Sequence, residues 1–150
     1  MYDKILVPLD GSALAEAVIP YVIDIARGTS SEVILLRVCL YDQPPEGEVL
    51  FPAPVDREQE RCEMAAECIR YLNSAARPLR AAGLNVRILV EFGYPAERIV
   101  DIVKEHRVGL IAMSTHGRTG ISRWVYGSVA ARVLRAATVP ILLIRSEAPK

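Results

Sequence analysis

Apolar residues along this chain follow two alternating patterns. Ile5-Leu6-Val7, Val33-Ile34-Leu35-Leu36-Arg37-Val38, Val86-Arg87-Ile88-Leu89-Val90, Val108 to Met113 and Pro140-Ile141-Leu142-Leu143-Ile144 are short, nearly continuous apolar runs. Strands covered on both faces read this way. Between the first two runs, Leu14, Val18, Val22 and Ile25 recur at helical spacing, with Ser12 a candidate N-cap and Gly28 the expected stop. Pro20 falls inside that pattern and is expected to kink the helix, at a cost of about 3 kcal/mol. Ala65, Ile69, Leu72, Ala76 and Leu79 mark a long amphipathic helix closed by Gly83, with its last turns disturbed by Pro78. Ala96 to His106 is a shorter helix with Ile99 and Val103 inward, and Val129 to Leu134 is another. Pro44, Pro45, Gly47, Pro52 and Pro54 make the intervening stretch too proline-rich for regular structure, so it reads as a surface loop.

Strands alternating with helices imply right-handed βαβ units and a parallel sheet. The expectation is one α/β domain over residues 1–150, a doubly wound, Rossmann-like sheet of five parallel strands in the order 3-2-1-4-5. Helices would cover both faces. Ligands of such sheets sit beyond the carboxyl ends of the strands, where the strand order reverses. Here that point lies between the first and fourth strands. Asp10 ends the first, and Ser114-Thr115-His116-Gly117-Arg118-Thr119-Gly120 follows the fourth, with Gly127-Ser128 opening the next helix. A strand, a small-residue loop and a helix start form a cradle for an anion, because the first helical amides are unpaired and carry partial positive charge. Arg118 and Arg123 add cations beside it. A phosphorylated small molecule is the ligand class this pattern points to.

Composition narrows the picture. With 150 residues, 51% of them hydrophobic, the chain can bury a sizeable core. Lys+Arg and Asp+Glu both total 18, so no net field draws in nucleic acid or an anionic membrane. No apolar stretch reaches the roughly 18 residues of a membrane span, and nothing at the N-terminus resembles a signal peptide. A cytoplasmic location is expected. Cys39, Cys62 and Cys68 are odd in number and lack CxxC spacing, which removes a disulfide scaffold and a zinc site; they read as small apolar residues.

Val7-Pro8-Leu9-Asp10-Gly11-Ser12, Gly93-Tyr94-Pro95, and Met113 through Gly120 with Gly127-Ser128 together resemble the universal stress protein family, over essentially the whole chain. The resemblance is to its ATP-binding branch, whose pattern is Gly-x2-Gly-x9-Gly-Ser/Thr. Gly117, nine residues and Gly127-Ser128 fit that pattern, while Ser114 replaces the first glycine and fits if its φ is negative. The resemblance implies ATP accompanied by Mg²⁺ bound through the phosphates. Pro8, Leu9 and Asp10 would line the adenosine end, with Asp10 accepting from the ribose hydroxyls. Val38 would meet adenine through its backbone, and Met113 and Ser114 would lie against the nucleoside. His116, Gly117, Gly127, Ser128 and Val129 would surround the phosphates. A homodimer is also implied, and the edge strand Pro140 to Ile144, apolar and without Lys or Glu, suits it.

Blander readings stand beside these. Asp10 can be an Asx-turn residue, Ser128 a helix N-cap, Gly117, Gly120 and Gly127 turn residues, and His116 a structural loop histidine. His106 reads as a favourable charge at a helix end. Pro8 is odd in a central strand, and a ligand crevice at the strand's end is its natural explanation. The chain has no Gly-x4-Gly-Lys-Ser/Thr, no Gly-x-Gly-x-x-Gly after the first strand and no Gly-x-Ser-x-Gly. Phe92-Gly93 and Arg145 stand where a receiver domain needs Asp and Lys. No residue presents itself as a general base for phosphoryl transfer. The expected function is therefore an adenine-nucleotide-binding stress sensor or regulator with at most slow hydrolysis or self-phosphorylation. The alternative is a protein-interaction module with no bound nucleotide, for which Ser114 and Ala130 leave room.

Overall fold

Each apolar run is a strand because helices cover the sheet on both sides. The structure, a computed structural model, describes residues 1–40, 57–117 and 127–147. Its elements are β1 (Lys4–Pro8), α1 (Ala13–Glu16), α2 (Ile19–Thr29), β2 (Glu32–Cys39), α3 (Arg57–Ala81), β3 (Val86–Phe92), α4 (Pro95–Glu105), β4 (Leu110–Gly117), α5 (Ser128–Ala136) and β5 (Ile141–Glu147). The five strands are parallel in the order β3-β2-β1-β4-β5, as the alternation implied. On one face Ile5, Val7, Val33, Leu35 and Ala112 pack under α2 and α3 through Val22, Leu72 and Leu79. On the other, Leu6, Ile34, Leu36 and Ile111 pack under α4 and α5 through Ile99, Ile102 and Val133. Successive strand residues alternate between these two cores, so neither face can turn to water.

Several boundaries differ from the sequence expectation, each for a local reason. The first helical segment is two helices rather than one kinked helix. Ser12 caps α1 as expected, its Oγ accepting from the Ala15 N–H at 3.1 Å. The chain then restarts, and Pro20 stands in the first turn of α2, where its missing N–H has no intrahelical partner to lose. Gly28 does not end that helix; α2 runs to Thr29, and Ser30 takes the left-handed position at φ 55°. Pro78 does not break α3, which continues to Ala81 with Pro78 exposed. Gly83 closes it as expected, at φ 80°, and its N–H bonds the Arg80 carbonyl. The proline-rich stretch 41–56 lies outside the described residues, as do Arg118, Thr119, Gly120 and Arg123.

The largest change is at the fourth and fifth strands. Ser114 to Gly117 is not the start of a loop. It is the end of β4, paired in register with Ile144 to Glu147 of β5. The edge strand therefore extends past Ile144 to take in Arg145 and Glu147, so it is less uniformly apolar than its first residues suggest.

Candidate functional site

The site begins where β1 and β4 part. β1 pairs with β2 from Lys4↔Glu32 to Pro8↔Leu36, but with β4 only at Ile5↔Leu110 and Leu6↔Ile111. The Leu9 N–H donates to the Leu36 carbonyl at 2.8 Å, so odd-numbered residues of β1 direct their backbone groups at β2. Even-numbered ones face β4, as the bond from the Gly109 N–H to the Lys4 carbonyl shows. Pro8 is at a β4-facing position and has no N–H to give. The ladder stops there, and a cavity of about 590 Å³ opens beyond it. The placement of Pro8 in a central strand has its physical reason in that split.

Pro8, Leu9 and Asp10 form one wall of the cavity, and Met113 and Ser114 the opposite one. Val38 borders it from the end of β2, and Gly127, Ser128 and Val129 from the start of α5. Nine of the eleven residues singled out from the sequence thus meet around one space. The remaining two, His116 and Gly117, are the last residues of β4 and stand opposite Ser146 and Glu147. The described part of that site stops at their backbone.

Asp10 carries out the turn role that the sequence allowed. Its Oδ1 accepts from the Ser12 N–H at 2.9 Å and from the Ser12 hydroxyl at 2.6 Å. Burial by itself would raise its pKa, but the two Ser12 hydrogen bonds and the nearby Arg37 charge outweigh that, and the carboxyl lies below its ordinary value. Asp10 is thus a held, ionised carboxylate at the mouth of the crevice. Ser114 lies in extended backbone within β4, which meets the negative-φ condition for a serine at that position. Its Oγ donates to the Ala15 carbonyl at 3.3 Å and ties β4 to α1.

The helix start differs from the reading of Ser128 as its cap. Gly127 is the N-cap, at φ −51° and ψ 151°, and Ser128 is the first helical residue. The Ala131 N–H makes the first intrahelical bond, to the Gly127 carbonyl at 2.9 Å. The amides of Ser128, Val129 and Ala130 precede it and have no acceptor within the helix. Among the described residues, no heavy atom comes within 4 Å of where a Gly127 Cβ would stand.

Sequence reading missed several residues of the cavity. Arg37 passed as a polar interruption in an apolar run, yet it is half-buried and lines the crevice. Its guanidinium stands 3.9 Å from where a Cβ on Gly11 would be, and Gly11 has φ 91°. Thr115, 6% exposed, lines the cavity with a hydroxyl that has no hydrogen-bond partner among the described residues. Met64, Glu67 and Cys68 reach the site from α3, whose placement depends on how the helix packs across β2. Cys39, the last residue of β2, also lines it. Burial, and then its contact with the Cys68 thiol, pushes the Cys39 thiol up to about 12. Among the described residues no group of three His, Cys, Asp or Glu side chains is arranged to hold a metal.

The model of the universal stress protein family matches residues 1–145. Universal stress protein MJ0577 of Methanocaldococcus jannaschii is 28% identical over 155 residues, spanning 97% of this chain and 96% of that protein. The solved structure of MJ0577 superposes with a TM-score of 0.76 at 26% identity, covering 99% of each chain. A universal stress protein in complex with cAMP gives a TM-score of 0.69 at 19% identity, covering 96% of this chain and 97% of that one. A family protein from Arabidopsis thaliana with AMP bound gives 0.67 at 18% identity, covering 97% and 92%. At those identities the last two demonstrate the shared fold. Among the described residues no helix is long and apolar enough to cross a membrane.

Proposed function

The chain belongs to the universal stress protein family, and we propose that its crevice binds an adenine nucleotide, ATP with Mg²⁺, as the input of a stress-response sensor or regulator. The single observation that carries this reading is the gap opened by Pro8. It brings an ionised carboxylate, Asp10, to the same cavity as the first amides of α5, which have no acceptor within the helix. A nucleotide needs those two features at opposite ends, an acceptor for ribose hydroxyls and a donor cluster for phosphate. The relatives solved with cAMP and AMP carry adenine nucleotides on the same fold.

In this assignment Val38 offers its backbone to the base, and Pro8, Leu9, Met113 and Ser114 flank the nucleoside. Asp10 accepts from the ribose, and Gly127, Ser128 and Val129 meet the phosphates, with His116 and Gly117 completing that end. Mg²⁺ would be held by the phosphates, since the described residues bring no acidic cluster to it. Asp10, tied to Ser12 and turned to the ribose, is not placed to activate water. The proposed role is binding, with at most slow turnover. The functional unit is one domain over residues 1–150, paired as a homodimer through β5.

A micromolar dissociation constant corresponds to about 8 kcal/mol. Several charge-assisted hydrogen bonds of roughly 1.5–3 kcal/mol each, with burial of the base, supply that after association costs. Titration calorimetry with Mg-ATP, AMP and inorganic triphosphate tests the reading. Saturation at micromolar ATP is expected, with weaker binding of triphosphate alone. No saturation at millimolar concentrations of any adenine nucleotide would overturn it.

A further inference from the structure

We infer that Cys39 and Cys68 are an oxidation site, a thiol pair that a hydroperoxide converts to a disulfide in the wall of the cavity. Their Sγ atoms stand 2.9 Å apart, about 0.9 Å beyond the length of a disulfide bond. Both belong to regular elements, Cys39 at the end of β2 and Cys68 within α3. The Cys39 carbonyl accepts from the Gly93 N–H at 3.0 Å, which holds the end of β2 against β3. The contact therefore follows from the packing of a helix across a strand and does not depend on a mobile loop. The cysteines are 29 positions apart and show no motif, so only the fold brings them together.

Buried thiols are ordinarily inert. Two features set this pair apart. Each thiol has a second thiol in contact to resolve an oxidised intermediate, and both line a cavity large enough to admit a small oxidant. The chemistry balances with one equivalent of peroxide. One cysteine, its proton released to water, attacks a peroxide oxygen; the O–O bond breaks, and the departing hydroxide or alkoxide takes up a proton. The resulting sulfenic acid is attacked at sulfur by the second cysteine; the S–O bond breaks, and hydroxide leaves with the second thiol's proton as water. Two thiols are oxidised by two electrons, and the peroxide is reduced to two molecules of water, or to water and an alcohol. Because burial keeps Cys39 protonated, the reaction is faster at alkaline pH. The new bond would join α3 to β2 one residue from Val38. On the nucleotide reading proposed above, it therefore changes the wall against which the base lies.

Cys62 is exposed on α3 and is removed so that it neither competes for oxidant nor forms a bond between molecules. The test uses the full chain with Cys62→Ser, treated with millimolar hydrogen peroxide, denatured, alkylated and mapped by mass spectrometry. The expected product has lost two hydrogens, takes up no alkyl group, and yields one cross-linked peptide pair containing Cys39 and Cys68. Cys39→Ala or Cys68→Ala in the same background should leave one thiol that alkylates or proceeds to the sulfinic acid. Two fully alkylated cysteines, or two sulfinic acids with no cross-link, would overturn the inference. Calorimetry of the reduced and oxidised forms separates the two proposals. Nucleotide binding without a disulfide sinks this one alone, and a disulfide without nucleotide binding sinks the other alone.

Discussion

Asp10 combines two tasks in one carboxylate: it closes the turn after β1 through Ser12 and puts a negative charge at the cavity. Asp10→Asn keeps an oxygen for the turn and removes the charge. ATP affinity should fall about tenfold to a hundredfold, the loss of one charge-assisted bond of roughly 1.5–3 kcal/mol, with little change for inorganic triphosphate. Equal losses for both ligands would place Asp10 elsewhere than at the ribose. The pH dependence has a definite sign. A carboxyl lowered in the fold stabilises it above the ordinary value of 3.8, and that contribution disappears as pH falls through the lower folded value. In acid denaturation, the stability difference between the parent and Asp10→Asn should therefore shrink below that point. Gly127 offers a sharper steric test. Its φ is open to any residue and a Cβ meets no described atom, so Gly127→Val costs the fold only a poorer cap, about 1 kcal/mol or a melting shift of about 3 °C. ATP binding should fall more than tenfold. A variant that binds as well as the parent would leave Gly127 with a turn role alone. Asp10 and Ser12 were legible because they are neighbours in sequence. Arg37 was not, because the sequence of a strand covered on both faces does not say which of its residues will face an opening.

Elements respond to proline according to position. Pro20 looked like a kink and is a helix start, because two short helices need a boundary and proline is harmless in a first turn. Pro78 is the converse, an interior proline that α3 tolerates on its exposed side. Pro78→Ala restores a helical N–H and should stabilise the protein by about 1–3 kcal/mol, raising its melting temperature. Unchanged thermal unfolding would mean that packing of Leu79 and Ala76 already dominates this turn. At the sheet edge, Leu142 and Ile144 pack against one core and Leu143 against the other, so changing them disturbs the interior as well as any interface. The Pro140 carbonyl accepts from the Ile111 N–H, so even-numbered residues of β5 face β4 and odd-numbered amides face outward. Arg145→Pro removes one outward donor at an exposed position. If two copies pair through β5, this variant should sediment as a monomer where the parent sediments as a dimer. A parent that stays monomeric at tens of micromolar would rule the arrangement out.

For the molecule as a whole, the described residues form two cores on opposite faces of the sheet, and the cavity lies where β1 and β4 separate. A nucleotide there touches elements of both layers and should stabilise the whole fold. At a hundred times its dissociation constant, a ligand adds about 2.7 kcal/mol, which for a chain of this size raises the melting temperature by about 5–10 °C. Mg-ATP should produce that rise, and Asp10→Asn should reduce it at the same concentration. Thermal unfolding that ignores saturating Mg-ATP would contradict binding to the native state.

What the sequence determined by itself were the features with a local physical cause. Five apolar runs became strands, their alternation with helices set a parallel doubly wound sheet, and Pro8 and Asp10 marked the carboxyl end of the first. Those follow from side-chain periodicity, turn chemistry and the missing proline amide, all readable within a few residues. The tertiary structure alone decided how far β4 runs, since Ser114 to Gly117 have little strand character and are held extended by pairing with β5. It also decided that Arg37 and Thr115 border the cavity and that Cys39 meets Cys68. These contacts join residues distant in sequence, and their distances are set by how α3 and the strands pack, which no local pattern encodes.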